Sequence, residues 1–417
     1  MHSRWVLWLC VLALIPLGGV SAQTASGSWN APSGIYNTWV VYPSTNVGAT
    51  QVVFLNPYST TPGATDWFYD HQVLYTEYAG GAWSTPVVVG SNAMYRTNGL
   101  MPIATHPVIS ADGNTIAYLG CTGNCKPATQ GDVYDIYVAR RGPGGWSQPA
   151  VVTTATGAMG SQFGLSADGK TLVYATFNPF GDLKDRVYVV QRTGETWGSP
   201  TAVSPDDVNA FFPILSRDGK QLFWRSNPAG GGSDVLKYAS QLPGGGWSAP
   251  QTLVANPLGS GVADYYSFSP DGNSIFYWNV NTGGGDPNDV YLYVLRRVGS
   301  AWSSPQQVTP GVFAYTNEGL TAGLNFDGTR VVYPDPLAHN DIIDDVSLEM
   351  VEYKAGAWSA PTAVTIHKPG SLYQSPLLSD DGKRLVAQGP SADYEGSGVV
   401  LFLYSDKYFS YFPFMKK

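Results

Sequence analysis

The sequence predicts an all-β chain: a seven-bladed β-propeller of four-stranded antiparallel blades, its ring closed by terminal strands. Two motifs and the composition predict it. A hexapeptide near G-x-W-S-x-P occurs seven times, as GSWNAP at Trp29, GAWSTP at Trp83, GGWSQP at Trp146, ETWGSP at Trp197, GGWSAP at Trp247, SAWSSP at Trp302 and GAWSAP at Trp358. An Asp-Gly motif alternates with it in phase: SADGNTIAY from Ser110, SADGKTLVY from Ser166, SRDGKQLFW from Ser216, SPDGNSIFY from Ser269, NFDGTRVVY from Asn325 and SDDGKRLVA from Ser379. A copy without the Asp, NVGATQVVF, starts at Asn46. Composition agrees, with 48 Gly, 30 Pro and only 13% charged residues. Few charges and many turn formers suit β-structure, and repeats at such spacing mean propellers or solenoids.

Residues 1–22 read as a secretory signal peptide. Arg4 supplies the positive start, Trp5 to Leu17 the apolar run, and Val20-Ser21-Ala22 the small residues of a cleavage site. The apolar run is short for a membrane span, and no later stretch nears the roughly 20 apolar residues a spanning helix needs. The expected mature chain is therefore one exported propeller domain, 23–417, without membrane insertion. The net charge of −8 argues against nucleic acid, which needs a basic face.

Each repeat supplies four strands in order. A first strand, such as FFPILS from Phe211, enters the Asp-Gly turn, where Gly accepts φ > 0. The second strand follows at once, as in KQLFWRS from Lys220. A longer connection leads to the third, as in DIYVARR from Asp135, and a Gly-rich turn to the fourth, beginning W-S-x-P. Proline suits an outer edge strand, where no ladder bond is lost. The repeated Trp is expected to be a packing residue, burying roughly 150–250 Å², about 4–6 kcal/mol at roughly 25 cal/mol/Å². Blade one lacks the Asp at Val47-Gly48, so its turn need not match the others.

The two ends pose a closure problem. GSWNAP at Trp29 is a fourth strand with no preceding three, and the unit after Ser379 lacks a W-S-x-P. Either the N-terminal segment or the tail Tyr408 to Phe414, YFSYFPF, can fill the last slot. The tail is also able to dock into a neighbouring molecule as an added strand.

These units resemble the TolB-type, WD-repeat-like propeller repeat of bacterial envelope proteins, close to P-x-x-S-x-D-G-K-x-L-x-F, then D-I-Y, then G-x-W-S-x-P. Phe211 to Trp224 and Asp135 to Pro149 follow it closely. The resemblance implies a periplasmic or extracellular protein that binds a protein partner.

Strand order puts the Asp-Gly and Gly-Trp turns on one face. The long, dissimilar connections, such as CTGNCKPATQGD and DPLAHNDIIDD, fall on the other, where binding residues are expected. Repeat alignment places His106, Gln162, Asn209, Asp264, Tyr265, Glu318 and Tyr373 at the channel mouth there. Such residues hydrogen-bond and stack on a peptide or a glycan. An Asp heads the third strand in most repeats, to cap backbone N–H groups or to form an acidic rim. Calcium is a candidate near Asp286 and Asp289 and near Asp341, Asp344 and Asp345, although neither segment is an EF-hand. No other cofactor is implied. Cys121 and Cys125 are expected to form a disulfide shaping one loop.

No catalytic residues are assigned. The alternative to a binding module is a carbohydrate-binding or carbohydrate-cleaving propeller, with Asp264 and Glu318 as a carboxyl pair from adjacent blades. Against it, the turns are not sialidase Asp-boxes, the histidines are scattered, and no G-x-S-x-G occurs.

Overall fold

A computed structural model describes residues 28–29, 33–36, 41–56, 71–93, 107–121, 134–152, 163–176, 185–205, 208–228, 235–255, 266–280, 289–313, 321–336, 346–365, 373–389 and 398–405. The expected signal peptide, Cys125 and the aromatic tail lie outside them. The described residues are all-β and make seven antiparallel blades in a ring. Blades one and two share one sheet, joined where Ala93 faces Gly120.

Blade five shows the plan. Tyr266–Phe268, Ser274–Val280, Asp289–Val298 and Ala301–Trp302 pair in that order. The fourth strand is broken. Trp302 faces Arg297, and after Pro305 the chain rejoins the third strand with Gln306 facing Val294. Ser303 bridges the break. Its N–H donates to the Arg296 carbonyl at 2.8 Å, and its Oγ accepts the Arg296 N–H at 3.0 Å. Ser84, Ser147, Ser248 and Ser359 do the same in their blades. W-S-x-P thus has a local cause: the serine hydroxyl takes an N–H that a broken strand leaves free, and the proline falls in the break.

The Asp-Gly turn is equally local. In blade three, Ser166 Oγ donates to Asp168 Oδ1 at 2.7 Å. Asp168 Oδ1 accepts the Lys170 N–H at 3.1 Å, and Ser166 Oγ accepts the Thr171 N–H at 2.9 Å. The same set recurs at Ser110, Ser216, Ser269 and Ser379. Blade one keeps the turn without the Asp. Asn46 Oδ1 accepts both the Thr50 N–H (2.9 Å) and the Gln51 N–H (3.1 Å), and Ala49 takes the glycine position at φ 47°.

The apolar core lies in the gaps between blades. Between blades five and six, Phe276, Trp278 and Leu292 meet Leu324, Val331 and Tyr333, with Trp358 against the cluster. Each repeated Trp joins the cluster between its own blade and the preceding one. The expectation that these indoles pack is met.

The N-terminal segment closes the ring. Ser28 and Trp29 pair with Ser405 and Tyr404, and Ser33–Tyr36 pairs further back along the same strand. Trp29 meets Tyr404 edge-on, with ring centroids 5.1 Å apart, and packs on the cluster between blades six and seven. The Arg330 guanidinium lies 4.2 Å from the Tyr404 ring centroid and ties blade six to this closing pair.

Trp29→Ala is therefore expected to lower the unfolding free energy by about 2–3 kcal/mol, below the cost of truncating a fully buried Trp because Trp29 is half-buried. Urea unfolding followed by circular dichroism measures it. A loss under roughly 0.5 kcal/mol, the usual scale of a surface substitution, would show that closure does not depend on this strand.

Candidate functional site

On the turn face, successive Asp-Gly turns bond to one another. The Val47 N–H donates to Ala111 O (3.2 Å), Asp112 to Ala167 (2.9 Å), Ala167 to Arg217 (2.6 Å), Asp271 to Phe326 (3.0 Å), Phe326 to Asp380 (3.0 Å) and Asp380 back to Val47 (2.9 Å). These bonds join six of the seven junctions among the described residues. Glycine is needed here for more than its φ: a Cβ on Gly113 would collide with Gln51 of blade one, and one on Gly169 with Thr115 of blade two.

An ion pair crosses this ring. Arg217 Nη1 and Nη2 donate to Asp380 Oδ2 and Oδ1 at 2.5 and 2.8 Å. Blades four and seven are not neighbours, so the pair spans the opening. Sequence reasoning missed it, although the signal was present: among the seven turns, only Arg217 and Asp380 put a charge at the second position.

Inward of the bridge lies an axial cavity of about 270 Å³. Every blade lends it the residue three before the turn serine or asparagine: Pro43, Pro107, Phe163, Pro213, Tyr266, Ala322 and Pro376. Innermost strands tolerate proline because one edge faces the axis and lacks a partner. Bulges precede Pro213 and Pro376, where Phe212 and Ser375 both take φ 49°. Tyr266 restores the bonds the blade-four bulge breaks. Its hydroxyl accepts the Arg225 N–H at 2.9 Å and donates to the Phe212 carbonyl. A second space of about 270 Å³ continues toward the turns, between Arg217, Pro270 and Val47.

The expected mouth residues fall around this axis unevenly. Asn209 is half-buried on the innermost strand of blade four, opposite Asn227. Tyr373 is 9% exposed and packs with Leu348 and Val400 between blades six and seven, where burial raises its pKa. His106, Gln162, Asp264, Tyr265 and Glu318 lie outside the described residues. Three of them immediately precede the wall residues Pro107, Phe163 and Tyr266 in sequence. Asp135 and Asp185, which head third strands, are buried. Of the calcium candidates, only the backbone of Asp289 is described, and among the described residues no group of three His, Cys, Asp or Glu gathers. Cys121 ends the second strand of blade two opposite Tyr134.

Two further charged groups emerge from the structure. A groove of about 610 Å³ on the turn face gathers Arg140, Arg141, Lys170 and Arg192 with Asp112 and Asp168. Its cations are largely engaged already: Arg140 by Glu195, Arg141 by Glu77 (2.8 Å), Lys170 by Asp168 (3.2 Å). In blade six, Glu349 faces Tyr333 and Ser347 faces Asp335. The two acids are thus diagonal neighbours on one face of the blade, roughly 7–8 Å apart. Burial, and then the Asp335 charge, push Glu349 up to about 7. A carboxyl with such a pKa exchanges protons at neutral pH.

Both features have measurable consequences. A double-mutant cycle on Arg217→Ala and Asp380→Ala should give a coupling of roughly 1–2 kcal/mol, above that of exposed pairs because the bridge is bidentate and three-quarters buried. A coupling near zero would mean the bridge does not hold in solution. For Glu349, the unfolded chain loses its proton near the ordinary 4.5 and the folded chain near 7. Its contribution to stability is therefore complete below 4.5 and lost as pH rises through 7. Glu349→Gln should flatten that slope and raise stability at pH 8 by about 1–2 kcal/mol. Unfolding curves at pH 4.5 and pH 8 test it; identical pH slopes in both proteins would refute it.

No family model and no curated protein matches this chain. Among solved structures it is similar to the β-propeller domain of the Trilobed protease from Pyrococcus furiosus, with a TM-score of 0.52 and 14% identity over 88% of this chain and 94% of that one. That propeller is described as having an open velcro topology, whereas the N-terminal strand here seals the last blade. A structure from a study of two prolyl endopeptidases gives a TM-score of 0.47 and 13% identity over 90% of this chain and 51% of that one. A protein assigned as TolB from Agrobacterium tumefaciens gives 0.41 and 18%, over 77% of this chain and 94% of that one. Of the three, the first supports the β-propeller fold, and the likeness is one of fold.

Proposed function

We propose that this chain is an exported, non-catalytic binding propeller that engages a protein partner through the face carrying the long connections. The observation that carries the reading is the asymmetry of the ring. The turn face is uniform: its turns are bonded to one another, and an ion pair spans its opening. The other face holds connections that differ in length and composition from blade to blade. Variable loops on a rigid scaffold are where recognition concentrates. The repeat pattern that resembles TolB-type propellers supports a periplasmic or extracellular setting, as does the signal-like segment 1–22. Among the described residues no helix is long and apolar enough to cross a membrane.

Binding or cleavage of a carbohydrate is the second reading. It draws on the acid pair Asp335 and Glu349, one of which carries a pKa near neutrality. Those acids sit between strands of one blade, away from the axial cavity, which leaves partner binding the stronger reading.

Residues 23–417, tagged and cross-linked in the native envelope and secreted fractions, provide the test. The wild type is compared with a loop-face variant (Asp264→Ala, Tyr265→Ala, Glu318→Ala) and a turn-face variant (Lys170→Ala, Lys220→Ala). One protein retained by the wild type and the turn-face variant, and depleted at least tenfold by the loop-face variant, is the expected result. Retention that follows the turn face, or recovery of polysaccharide alone, would overturn the proposal.

A further inference from the structure

We infer that the axial cavity binds a neutral, flat, mainly apolar group about the size of two fused rings, with one polar atom directed at Thr321. The inference deepens the binding reading by naming a ligand chemistry for the axis of the same propeller.

Size is the first constraint. An apolar protein cavity of roughly 150 Å³ holds benzene. The 270 Å³ here leaves room for a bicyclic group such as indole.

The chemistry of the wall is the second. Pro43, Pro107, Pro213 and Pro376 offer no N–H, and their rings present C–H surfaces that suit an aromatic face. Phe163 and Tyr266 add aromatic surface, and Trp278 extends the space toward the gap between blades five and six. The polar atoms of the wall are mostly engaged. Ser44 Oγ accepts the Ile109 N–H at 3.2 Å, Ser267 Oγ donates to the Phe268 carbonyl at 3.3 Å, and the Tyr266 hydroxyl serves the bulge of blade four. Thr321 Oγ1 is buried and has no hydrogen-bond partner among the described residues. Among the described residues, no charged side chain and no imidazole lines the cavity. Against these described walls a sugar would leave most of its hydroxyls unpaired, and an anion would meet no cation. The buried Thr321 hydroxyl in a proline-walled space matches a mainly apolar group with a hydrogen-bonding atom on one edge.

At the turn-face end the Arg217–Asp380 bridge crosses the opening beside the second space.

Calorimetry and ligand-observed NMR on residues 23–417 test the inference with indole, naphthalene and glucose as probes. Indole is expected to bind saturably at one site per chain, and glucose not at all. Ala322→Trp, which fills the cavity, should abolish indole binding. If that variant does not fold, Thr321→Val serves instead: it should weaken indole roughly 3- to 10-fold and leave naphthalene unchanged, the effect of losing one hydrogen bond. N-acetyl-tryptophanamide separates the two sources of such a group. Binding comparable to indole assigns the site to a side chain of a protein partner, and exclusion with indole still bound assigns it to a free small molecule. Absence of saturable indole binding, or indole binding unchanged in both variants, would overturn the inference. The measurement needs no partner, so its failure would leave the loop-face reading intact, and a failed capture from the envelope would leave this one intact.

Discussion

Ring closure is the constraint on which the rest of the molecule depends. A blade is stable only when both its faces are covered, because its apolar side chains belong to gaps shared with neighbours. An open ring would leave a blade face and a strand edge in water. Here two short N-terminal strands prevent that by completing blade seven. Trp29 then becomes to the gap between blades six and seven what Trp302 is to the gap between four and five. The axial features follow from the same closure. A bridge from blade four to blade seven, and a cavity walled by one residue from every blade, exist only when the ring is complete.

The two repeated motifs answer one problem, the unpaired backbone groups of a blade that must turn tightly and end abruptly. In S-x-D-G, a hydroxyl and a carboxylate collect the N–H groups beyond the turn. In W-S-x-P, a hydroxyl collects an N–H opposite a broken strand. Both devices reach backbone groups only two to seven residues away, which is why the motifs are so compact. The same turns reach the next blade through backbone bonds and through glycines set against a neighbour's side chain. Uniformity of this face is a condition of blade packing, and it leaves the opposite face free to diverge.

Much of this was legible in sequence. Strand count, the alternation of motifs and the packing role of the tryptophans follow from local chemistry and period. The closing terminus was not legible, because Trp29-Asn30 and Phe409-Ser410 both imitate a fourth strand. Asn46 shows another limit: one amide replaces two motif residues, and pattern matching sees only a missing Asp. Tyr373 aligns with mouth residues, yet it lies just before the innermost strand Gln374–Leu378 and packs into the gap between blades. The Arg217–Asp380 pair was hidden for a different reason. Its members sit at a position that looks variable, and only the circular order of the blades brings them face to face. The acid pair in blade six needed the register of two strands to be seen at all.

Pairing Ser28 with Ser405 also sets an order of events. The first described strand cannot find its partner until residue 405 has been made, so the last gap is sealed only after the other blades have been synthesised. Contacts between such distant residues are slow to form. Until then the growing polypeptide carries one incomplete blade and one uncovered flank, a state far from its final stability. The outermost strand of the last blade therefore decides when the ring becomes complete.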